Sequence, residues 1–421
     1  MKKKIFLLGA LLISLFTLKV NALTVPDTAQ GVVEDMNLGW NLGDSLDVVI
    51  PSAGHVTDID TLETKWYNPL VTKDLIKAVK KAGFRAVRIP VTYYNHMDVP
   101  GSSTGVIDEA WFERIDEVVN WCLEEDLYVV LDIHHDTSND TKYSWIYADK
   151  TTYSQDLANF KNLWSQIGNH FNKYDNRVLF EATNEIMNRD SNWDWGKSWD
   201  DFRVVHDLDQ EFINLIRGMG GNNSNRYLVL PTWAACPDSC QIENLNYTKF
   251  NDTVSNHLIM GVHNYGSSAT TATNVVNSVH TLADKYGMPV LFTEITATTD
   301  AVAEAYMNAG CKYGITMFYW DDGNGNQLIS RETYEVTKQD LVSSLVNTAS
   351  TCAPIRPTTT TTTKAEVTTS SVTDVLTTST EEVSNPKTGV KKYSLIVLLF
   401  VVLLGIAILT KIRDKNKFKK I

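Results

Sequence analysis

The sequence is poor in cysteine, and its five cysteines form neither a metal site nor a disulfide framework. They are Cys122, Cys236, Cys240, Cys311 and Cys352, and no group of cysteines and histidines has the spacing of a zinc site. An odd number excludes a fully paired disulfide scaffold. Cys236 and Cys240 form the one close pair, which could close a local disulfide in an exported protein. The others are predicted to be small buried side chains.

The sequence also lacks a glycine-rich phosphate loop, and its central part is short of positive charge. No such loop follows the first predicted strand, which argues against a nucleotide-binding fold. Residues 1–22 carry four lysines and no acidic residue, and residues 389–421 carry eight basic residues and one aspartate. Residues 23–388 therefore hold 26 basic against 49 acidic residues, a net charge of −23. This argues against nucleic acid and anionic surfaces as partners and is compatible with a neutral polymer.

The two ends of the chain differ in composition from the middle. Residues 1–22 combine a lysine-rich start, an apolar run from Ile5 to Val20 and a small residue at Ala22, the pattern of a secretory signal peptide. Residues 358–384 are rich in threonine and serine and contain no aromatic residue, so we predict an extended linker. The remaining residues, 23–357, have the length of one (β/α)8 barrel domain.

The last segment, 385–421, has two interpretations. Asn385-Pro386-Lys387-Thr388-Gly389 precedes an apolar stretch, 393–410, and a basic tail, 411–420. This order resembles the wall-sorting signal of Gram-positive bacteria, usually Leu-Pro-x-Thr-Gly, with asparagine in place of leucine. The resemblance implies sortase and peptidoglycan as partners, with cleavage between Thr388 and Gly389, and we favour it. The alternative is a membrane anchor, because 18 residues just suffice to span a bilayer and the basic tail suits the inner side.

Strand-like and helix-like segments alternate along residues 23–357. Eight such units in about 330 residues favour a closed (β/α)8 barrel of parallel strands over an open doubly wound sheet. The connection Cys236–Thr253 shows little helical periodicity and is the weakest match. The predicted strands are Met36–Asn41, Ala86–Pro90, Tyr128–Ile133, Val178–Thr183, Tyr227–Pro231, Leu258–Val262, Pro289–Thr293 and Ile315–Trp320. The predicted helices, from apolar residues at three- and four-residue spacing, are Thr72–Ala82, Asp108–Glu125, Ser154–Lys173, Asp201–Met219, Thr273–Tyr286, Ala301–Ala309 and Lys338–Thr348.

Two of these predicted strands lead directly to a glutamate. Leu179-Phe180-Glu181-Ala182-Thr183-Asn184-Glu185 and Val290-Leu291-Phe292-Thr293-Glu294 are strand-length runs that stop at a carboxylate. An unpaired buried carboxylate is strongly disfavoured, so such a glutamate indicates a use for its charge. Catalytic groups of barrels gather at the C-terminal strand ends, and two carboxylates can cleave a glycosidic bond. The alternative is that one or both glutamates form structural ion pairs.

Other predicted strands also end in polar or aromatic residues, and together the motifs resemble those of glycoside hydrolase family 5, the cellulase family of clan A. The stretch 63–69 resembles its bacterial endoglucanase and xyloglucanase branch. One departure is Asp44, where the family commonly has asparagine, and it affects the expected sugar contacts on the non-reducing side. The motifs lie in family order and are Asn41-Leu42-Gly43, Arg88-Ile89-Pro90-Val91, Leu131-Asp132-Ile133-His134-His135, Asn184-Glu185, His263-Asn264-Tyr265, Thr293-Glu294 and Trp320.

The resemblance implies a retaining endo-β-1,4-glucanase that acts on cellulose-like β-glucan as a monomeric catalytic domain, without cofactor or metal. It implies that Glu185 is the general acid/base and Glu294 the nucleophile. The residues that it places around them are Arg88 and Tyr265 at the Glu294 carboxylate, His263 beside Glu185, Asn184 at the sugar 2-hydroxyl, His134 beside the sugar and Trp320 beneath it. Asn41 and His135 complete the candidate site.

Tryptophan is frequent, with 11 in the chain. Flat sugar faces stack on aromatic rings, and the loops over a barrel mouth are where such rings belong. We therefore expect Trp233 and Trp320 to contact sugar, and leave the crowded loop tryptophans Trp193, Trp195 and Trp199 open. Trp111, Trp121 and Trp164 fall within helix patterns and are expected to pack in the core.

Two alternatives to a cellulose-degrading enzyme remain open from the sequence. Xyloglucan, mixed-linkage β-glucan and mannan are possible substrates within the same family, because subsites beyond the cleavage point lie in variable loops. A surface adhesin that holds polysaccharide on an inactive barrel is the alternative from another class. The intact pair Glu185 and Glu294 argues against it.

Overall fold

Eight parallel strands form a closed barrel, as predicted. The computed structural model describes residues 23–138, 140, 142–190, 199–237 and 249–354, with only the backbone of 199–201. Each strand pairs with the next along the chain, and the last pairs with the first. The strands are β1 Leu38–Leu42, β2 Ala86–Ile89, β3 Tyr128–Leu131, β4 Val178–Glu181, β5 Leu228–Pro231, β6 Leu258–Asn264, β7 Val290–Ile295 and β8 Thr316–Asp321.

Helices follow the strands and cover the outside of the barrel. All seven predicted helices are present, with ends shifted by up to four residues. Within the described residues the α-helices are α1 Ala29–Met36, α2 Ile59–Glu63, α3 Lys73–Ala82, α4 Glu109–Glu124, α5 Tyr153–Phe171, α6 Trp199–Gly218, α7 Ala269–Tyr286, α8 Asp300–Tyr313 and α9 Gln339–Ser350. The sequence analysis missed α1 and the short α2.

Helix α1 corrects the predicted start of the first strand. Met36 was placed in that strand but ends α1, and β1 begins at Leu38. The Thr28 side chain caps the helix by accepting a hydrogen bond from the Gly31 amide. Apolar residues at 29, 32, 33 and 36 then lie on one helical face, which packs against the inner side chains at the N-terminal end of the barrel. The helix thus closes the end of the barrel opposite to the strand ends that carry the candidate site.

The alternation of side chains along each strand decides which residues enter the barrel. Val87 and Ile89 of β2 pack outward under the helices, whereas Ala86 packs inside the barrel. Arg88, two residues after Ala86, therefore also faces inward. The same alternation turns Asp132 inward after Val130 and Glu181 inward after Leu179. Polar residues near the strand C-termini consequently converge at one end of the barrel interior.

Strand β7 breaks this alternation, and the break positions Glu294. Leu291 packs inside the barrel, so strict alternation would point Glu294 outward. The register between β6 and β7 shifts after Val262, and His263 pairs with Glu294. The register of β7 with β8 is irregular over the same stretch. A bulge re-aims a side chain in this way, and here it brings Glu294 to the inner rim.

A disulfide corrects the expectation for two cysteines. Cys311 in α8 and Cys352 after α9 are bonded, with 5.4 Å between their Cα atoms and a sequence separation of 41. Cysteines this far apart carry no sequence signal for pairing, so both were predicted as buried small side chains. Cys122 is fully buried, as predicted. Cys240 lies outside the described residues, and its pairing with Cys236 stays a prediction.

The terminal segments of the sequence analysis lie outside the described residues. These are the predicted signal peptide 1–22, the linker 358–384 and the segment 385–421 with its apolar stretch. Among the helices that the structure describes, none is long and apolar enough to cross a membrane.

Candidate active site

Arg88 is the centre of the site and binds five side chains from inside the barrel. It is fully buried. Its Nε donates to Glu181 Oε2 at 2.5 Å, and its Nη2 donates to Asp132 Oδ2 at 2.7 Å and to Asn184 Oδ1 at 2.9 Å. Its Nη1 donates to Glu294 Oε1 at 2.8 Å and to Asn41 Oδ1 at 3.1 Å. A planar guanidinium with five donors can in this way order five side chains from four other strands and their C-terminal ends, which a lysine cannot do.

The single positive charge of Arg88 faces more than one acidic group. Burial alone would lower the pKa of Arg88, but Glu181, Asp132 and Glu294 raise it, so the guanidinium is always charged. Burial raises the pKa of Asp132 to about 6, against the opposing effect of Arg88, and also raises the pKa of Glu181. One cation therefore faces three carboxyl groups in a space where unpaired charge is costly. We infer that the carboxyl groups around Arg88 take up a proton more readily than exposed carboxyl groups do.

Glu294 is held at both carboxylate oxygens. Arg88 binds Oε1, and the Tyr265 hydroxyl donates to Oε2. Burial raises the pKa of Glu294, while His263, Arg88 and the Tyr265 hydrogen bond lower it. The two contacts predicted for Arg88 and Tyr265 are present. They orient the carboxylate and favour its ionised form against the effect of burial.

His263 lies between the two glutamates. Its Nδ1 is 2.9 Å from Glu185 Oε1 and 3.4 Å from Glu294 Oε2. Burial lowers the pKa of His263, so the ring is neutral near pH 7 and a proton on Nδ1 can be donated to a carboxylate. A carboxylate oxygen of Glu185 lies within 4.8 Å of one of Glu294. This is compatible with the carboxyl separation of about 5 Å in retaining glycosidases.

The inner wall beside the glutamates consists of two stacked rings. The rings of His134 and Trp320 are 5.6 Å apart and nearly parallel, and Trp320 is partly exposed. His134 Nδ1 is held by Asp132 Oδ2 at 2.7 Å. Burial lowers the pKa of His134 well below its usual value, so the ring is neutral. A Cβ on Gly43 would meet the Trp320 ring at 2.7 Å, so the ring needs glycine at this position.

Asn184 and Asn41 use their side chains differently. Arg88 holds Oδ1 of Asn184, so the amide nitrogen of Asn184 is the group that can donate to a sugar hydroxyl. Asn41 is fully buried, and its amide nitrogen donates to the carbonyls of Thr293 and Tyr319 at 2.9 and 3.3 Å. Asn41 therefore fastens β1 to β7 and β8 beside Glu294 and supports the site from below.

Two residues that the structure places in the site received no role from the sequence. Asp132 binds both Arg88 and His134, and Glu181 binds Arg88 from β4. Glu181 is fully buried, and its Oε1 has no hydrogen-bond partner within the described structure. The signal for Glu181 was a carboxylate inside an otherwise apolar strand, four residues before Glu185.

The structure corrects the expectation for Trp233. It is fully buried, and its ring packs edge-on against Phe202 at 5.3 Å, so it offers no face to a sugar. The turn after β5 folds the ring back onto the hydrophobic core, which a loop position in the sequence does not reveal. Trp111 and Trp164 are buried as predicted. Trp193 and Trp195 lie outside the described residues.

The rim beyond the stacked rings carries Asp44, Asp47 and His135. His135 Nε2 is 3.6 Å from Asp47 Oδ2, and Asp47 also accepts hydrogen bonds from the Asp44 and Ser45 amides. Burial and the charges of Asp47 and Asp322 raise the pKa of Asp44 to about 7, although Arg331 and His135 oppose the shift. A protonated Asp44 offers a donor and an acceptor, as the asparagine common in the family does. In its protonated form, Asp44 thus keeps the hydrogen-bonding capacity of that asparagine.

Two groups in the site have the composition of metal ligands. They are Asp47, His134 and His135, and Glu185, His263 and Glu294, and within each group the donor atoms lie within 4.8 Å of one another. In both groups, however, histidines and carboxylates are engaged with each other or with Asp132 and backbone amides. These hydrogen bonds account for the clustering, and the chemistry below needs no metal.

Comparison with known proteins decides the family. A family model with the description Cellulase (glycosyl hydrolase family 5) matches residues 51–326. The chain belongs to glycosyl hydrolase family 5. Endoglucanase A of Clostridium longisporum is 30% identical over 372 residues, which cover 80% of this chain and 69% of that protein. The resemblance inferred from the motifs is therefore confirmed.

Solved structures of family 5 enzymes have the same fold. A GH5-4 broad specificity endoglucanase from Ruminococcus champanellensis with bound cellotriose has a TM-score of 0.70 and 27% identity, covering 77% of this chain and 100% of that one. A family 5 enzyme from Prevotella bryantii B14, in complex with a xyloglucan tetradecasaccharide, has a TM-score of 0.69 and 27% identity, covering 76% and 98%. The family 5 chain is thus an endoglucanase-type glycoside hydrolase with a (β/α)8 barrel.

The hydrogen bond from Tyr265 to Glu294 generates a prediction about pH dependence. Tyr265→Phe removes a bond that lowers the pKa of Glu294, so this pKa rises. Since the nucleophile must be ionised, activity should be lost at a higher pH on the acidic side. We expect the acidic limb of the kcat/KM profile to move to higher pH and kcat/KM to fall.

Tyr313→Phe is the matched control for this experiment. It removes a hydroxyl bonded to Asn277, remote from the site, and should leave the profile unchanged. An acidic limb at the same pH in Tyr265→Phe and the wild type would contradict the assigned role of the hydroxyl.

Proposed function

We propose that this family 5 enzyme hydrolyses internal β-1,4 bonds of cellulose-like glucan with retention of configuration. The observation that carries the proposal is the pair Glu185 and Glu294, with carboxylate oxygens within 4.8 Å of each other at one end of the barrel. The two side chains have different surroundings. Glu294 contacts a permanent cation and a hydroxyl, while Glu185 contacts the neutral ring of His263. These surroundings support different roles.

In the first step Glu294 is the nucleophile and Glu185 the acid. An oxygen of the Glu294 carboxylate attacks the anomeric carbon and forms an ester bond. The glycosidic bond breaks, and its oxygen takes the proton of Glu185 and leaves as a new hydroxyl group. Arg88 and Tyr265 keep the attacking carboxylate ionised and oriented until the bond forms.

In the second step Glu185 acts as the base. Its carboxylate removes a proton from a water molecule whose oxygen attacks the anomeric carbon. The ester bond breaks, and Glu294 leaves as a carboxylate. The sum of both steps is the addition of one water across the glycosidic bond. Two inversions give net retention at the new reducing end. His263 stays within hydrogen-bond reach of Glu185 and can orient it in both steps.

Three further residues bind the sugar at the cleavage point in this proposal. Trp320 presents a partly exposed ring that supports the sugar from below, and His134, whose ring is parallel to that of Trp320 at 5.6 Å, contacts the sugar beside the cleavage point. The amide nitrogen of Asn184 donates to the 2-hydroxyl, a contact that strengthens as charge develops in the transition state. Arg88 binds both Asn184 and Glu294, so the sugar contact and the nucleophile share one support.

Other β-glycans are the second candidate substrates. One family 5 structure similar to this chain is that of a lichenase from Caldicellulosiruptor sp. F32, and another is that of a xyloglucan-specific endo-β-1,4-glucanase. We therefore include mixed-linkage β-glucan and xyloglucan as substrates to test beside cellulose, and mannan as a less favoured one. An adhesin that only binds polysaccharide would not need an acid, Glu185, beside a nucleophile, Glu294, that is held by the cation Arg88.

Azide rescue distinguishes the roles of the two glutamates. In Glu294→Gly, hydrolysis should be abolished, and added azide should occupy the vacant side of the sugar and give an α-glycosyl azide. In Glu185→Ala with an activated aryl cellobioside, the ester still forms, and azide should then give a β-glycosyl azide. NMR of the products reports the configuration. Products of the opposite configurations would mean that the two labels are exchanged.

We also propose that the enzyme works outside the cell, attached to the wall through Thr388. The signal-like residues 1–22 and the motif 385–389 support this proposal, and the disulfide between Cys311 and Cys352 suits an oxidising compartment. A membrane anchor at 393–410 is the alternative. In either arrangement the linker 358–384 would let the barrel reach an insoluble polymer.

Cell fractionation separates the two kinds of anchor. After digestion of the wall, we expect a released protein that ends at Thr388 and carries a peptidoglycan fragment, detected by mass spectrometry. Thr388→Ala should abolish this product, since the cleaved bond follows Thr388. Retention of the intact chain in detergent-soluble membranes, with the basic tail present, would contradict wall attachment.

A further inference from the structure

Tyr67 combines two features that do not favour folding. Its side chain is 92% exposed, the highest value among the large hydrophobic residues of the described chain. Its backbone has φ of +77°, a left-handed conformation that suits glycine and is unfavourable for a residue with a bulky side chain. An exposed ring on a strained backbone persists only where the surrounding structure imposes it. Such an outlier is a reason to look for a function.

The structure on both sides of Tyr67 is firmly anchored. The Asn68 amide nitrogen donates to the carbonyls of Asp44 and Asp322 at 2.8 and 3.0 Å, which fixes the segment to the ends of β1 and β8. Upstream, the buried Glu63 accepts a hydrogen bond from the Val71 amide and pairs with Arg114. The unusual conformation of Tyr67 is therefore imposed by contacts on either side of it.

A continuous row of rings leads from the catalytic centre to this segment. Trp320 stacks on His134 at 5.6 Å, His134 lies edge-on to His135 at 4.7 Å, and His135 lies edge-on to Trp66 at 5.2 Å. Trp66 is partly buried and also contacts Tyr143 at 5.9 Å. Tyr67 follows Trp66 directly. Its backbone is therefore next to the outermost ring of a row that begins at the predicted platform for the sugar at the cleavage point.

We propose that Tyr67 is an additional sugar-binding platform at the outer end of the cleft, for a glucosyl unit remote from the cleavage point. A β-1,4-glucan is a chain of flat rings, and one exposed aromatic ring can stack on one such unit. Tyrosine adds a hydroxyl that can bind a sugar hydroxyl while its ring faces the sugar. The role explains why a ring is kept where glycine would be the unstrained choice. This inference rests on the proposed glucanase function.

The test compares long and short substrates in Tyr67→Gly. In this proposal an aryl β-cellobioside fills only the two glucosyl positions beside the cleavage point, so the variant and the wild type should have equal kcat/KM for it. For cellohexaose and soluble β-glucan, we expect KM to rise about three- to tenfold, the loss of one stacked ring. The thermal midpoint should stay the same or rise, because glycine relieves the backbone strain. A loss on long substrates with unchanged stability separates binding from a folding defect.

Two control variants complete the kinetic test. Tyr67→Phe keeps the ring and should retain most of the affinity for cellohexaose. Lys65→Ala changes an exposed residue of the same segment and should behave as the wild type. An unchanged KM for cellohexaose in Tyr67→Gly, or an equal loss on the aryl cellobioside, would overturn the inference.

Binding measured without turnover separates this inference from the proposed function. Cellohexaose affinity is determined by calorimetry in Glu185→Ala and in Glu185→Ala combined with Tyr67→Gly. Weaker binding of the double variant supports the platform even if the wild type hydrolyses none of the glucans. Equal affinities would refute the platform even if hydrolysis is confirmed.

Discussion

The site depends on one buried cation that is shared by three carboxyl groups. Arg88 is fully buried and touches Asp132, Glu181 and Glu294 at once. Breaking a buried ion pair by removing one partner costs about 3–5 kcal/mol, and loss of Arg88 would leave three buried carboxyl groups without their cation, so Arg88 cannot change without loss. The same guanidinium also fixes Asn184, which is proposed to contact the sugar, and Asn41, which fastens the strands beside Glu294. Catalysis and folding therefore share one set of contacts.

Much of the fold and of the site was predictable from the sequence, because the strands and helices of a parallel barrel have recognisable sequence patterns. Apolar strands that are buried on both faces and amphipathic helices between them identify the (β/α)8 fold, and polar residues at strand ends identify the rim. Alternation along β2, β3 and β4 accounts for the inward direction of Arg88, Asp132 and Glu181. The motifs of family 5 supplied one expected partner of Arg88, the Glu294 carboxylate, and this contact is present, whereas the four other partners of Arg88 were not predicted.

The remaining features depend on tertiary structure and leave no local signal. The bulge in β7 reverses the direction expected for Glu294, and register shifts are not visible in a single strand. Trp233 follows a strand end but folds back into the core. The disulfide joins cysteines 41 residues apart. Tyr67 looks like an ordinary loop residue until its backbone angle and exposure are known.

The central claim is that Arg88 holds Glu294 as the ionised nucleophile, and covalent trapping tests it most directly. A 2-deoxy-2-fluoro cellobioside with an activated leaving group is incubated with the wild type and with Arg88→Lys, and labelled peptides are identified by mass spectrometry. A lysine keeps the positive charge but lacks the planar fork of five donors, so it cannot keep all five contacts of Arg88. We predict a single label on Glu294 in both proteins. In the folded variant, labelling should be at least about tenfold slower, which corresponds to a rise of about 1.4 kcal/mol in the activation free energy. Equal rates, or a label on Glu185, would contradict the account.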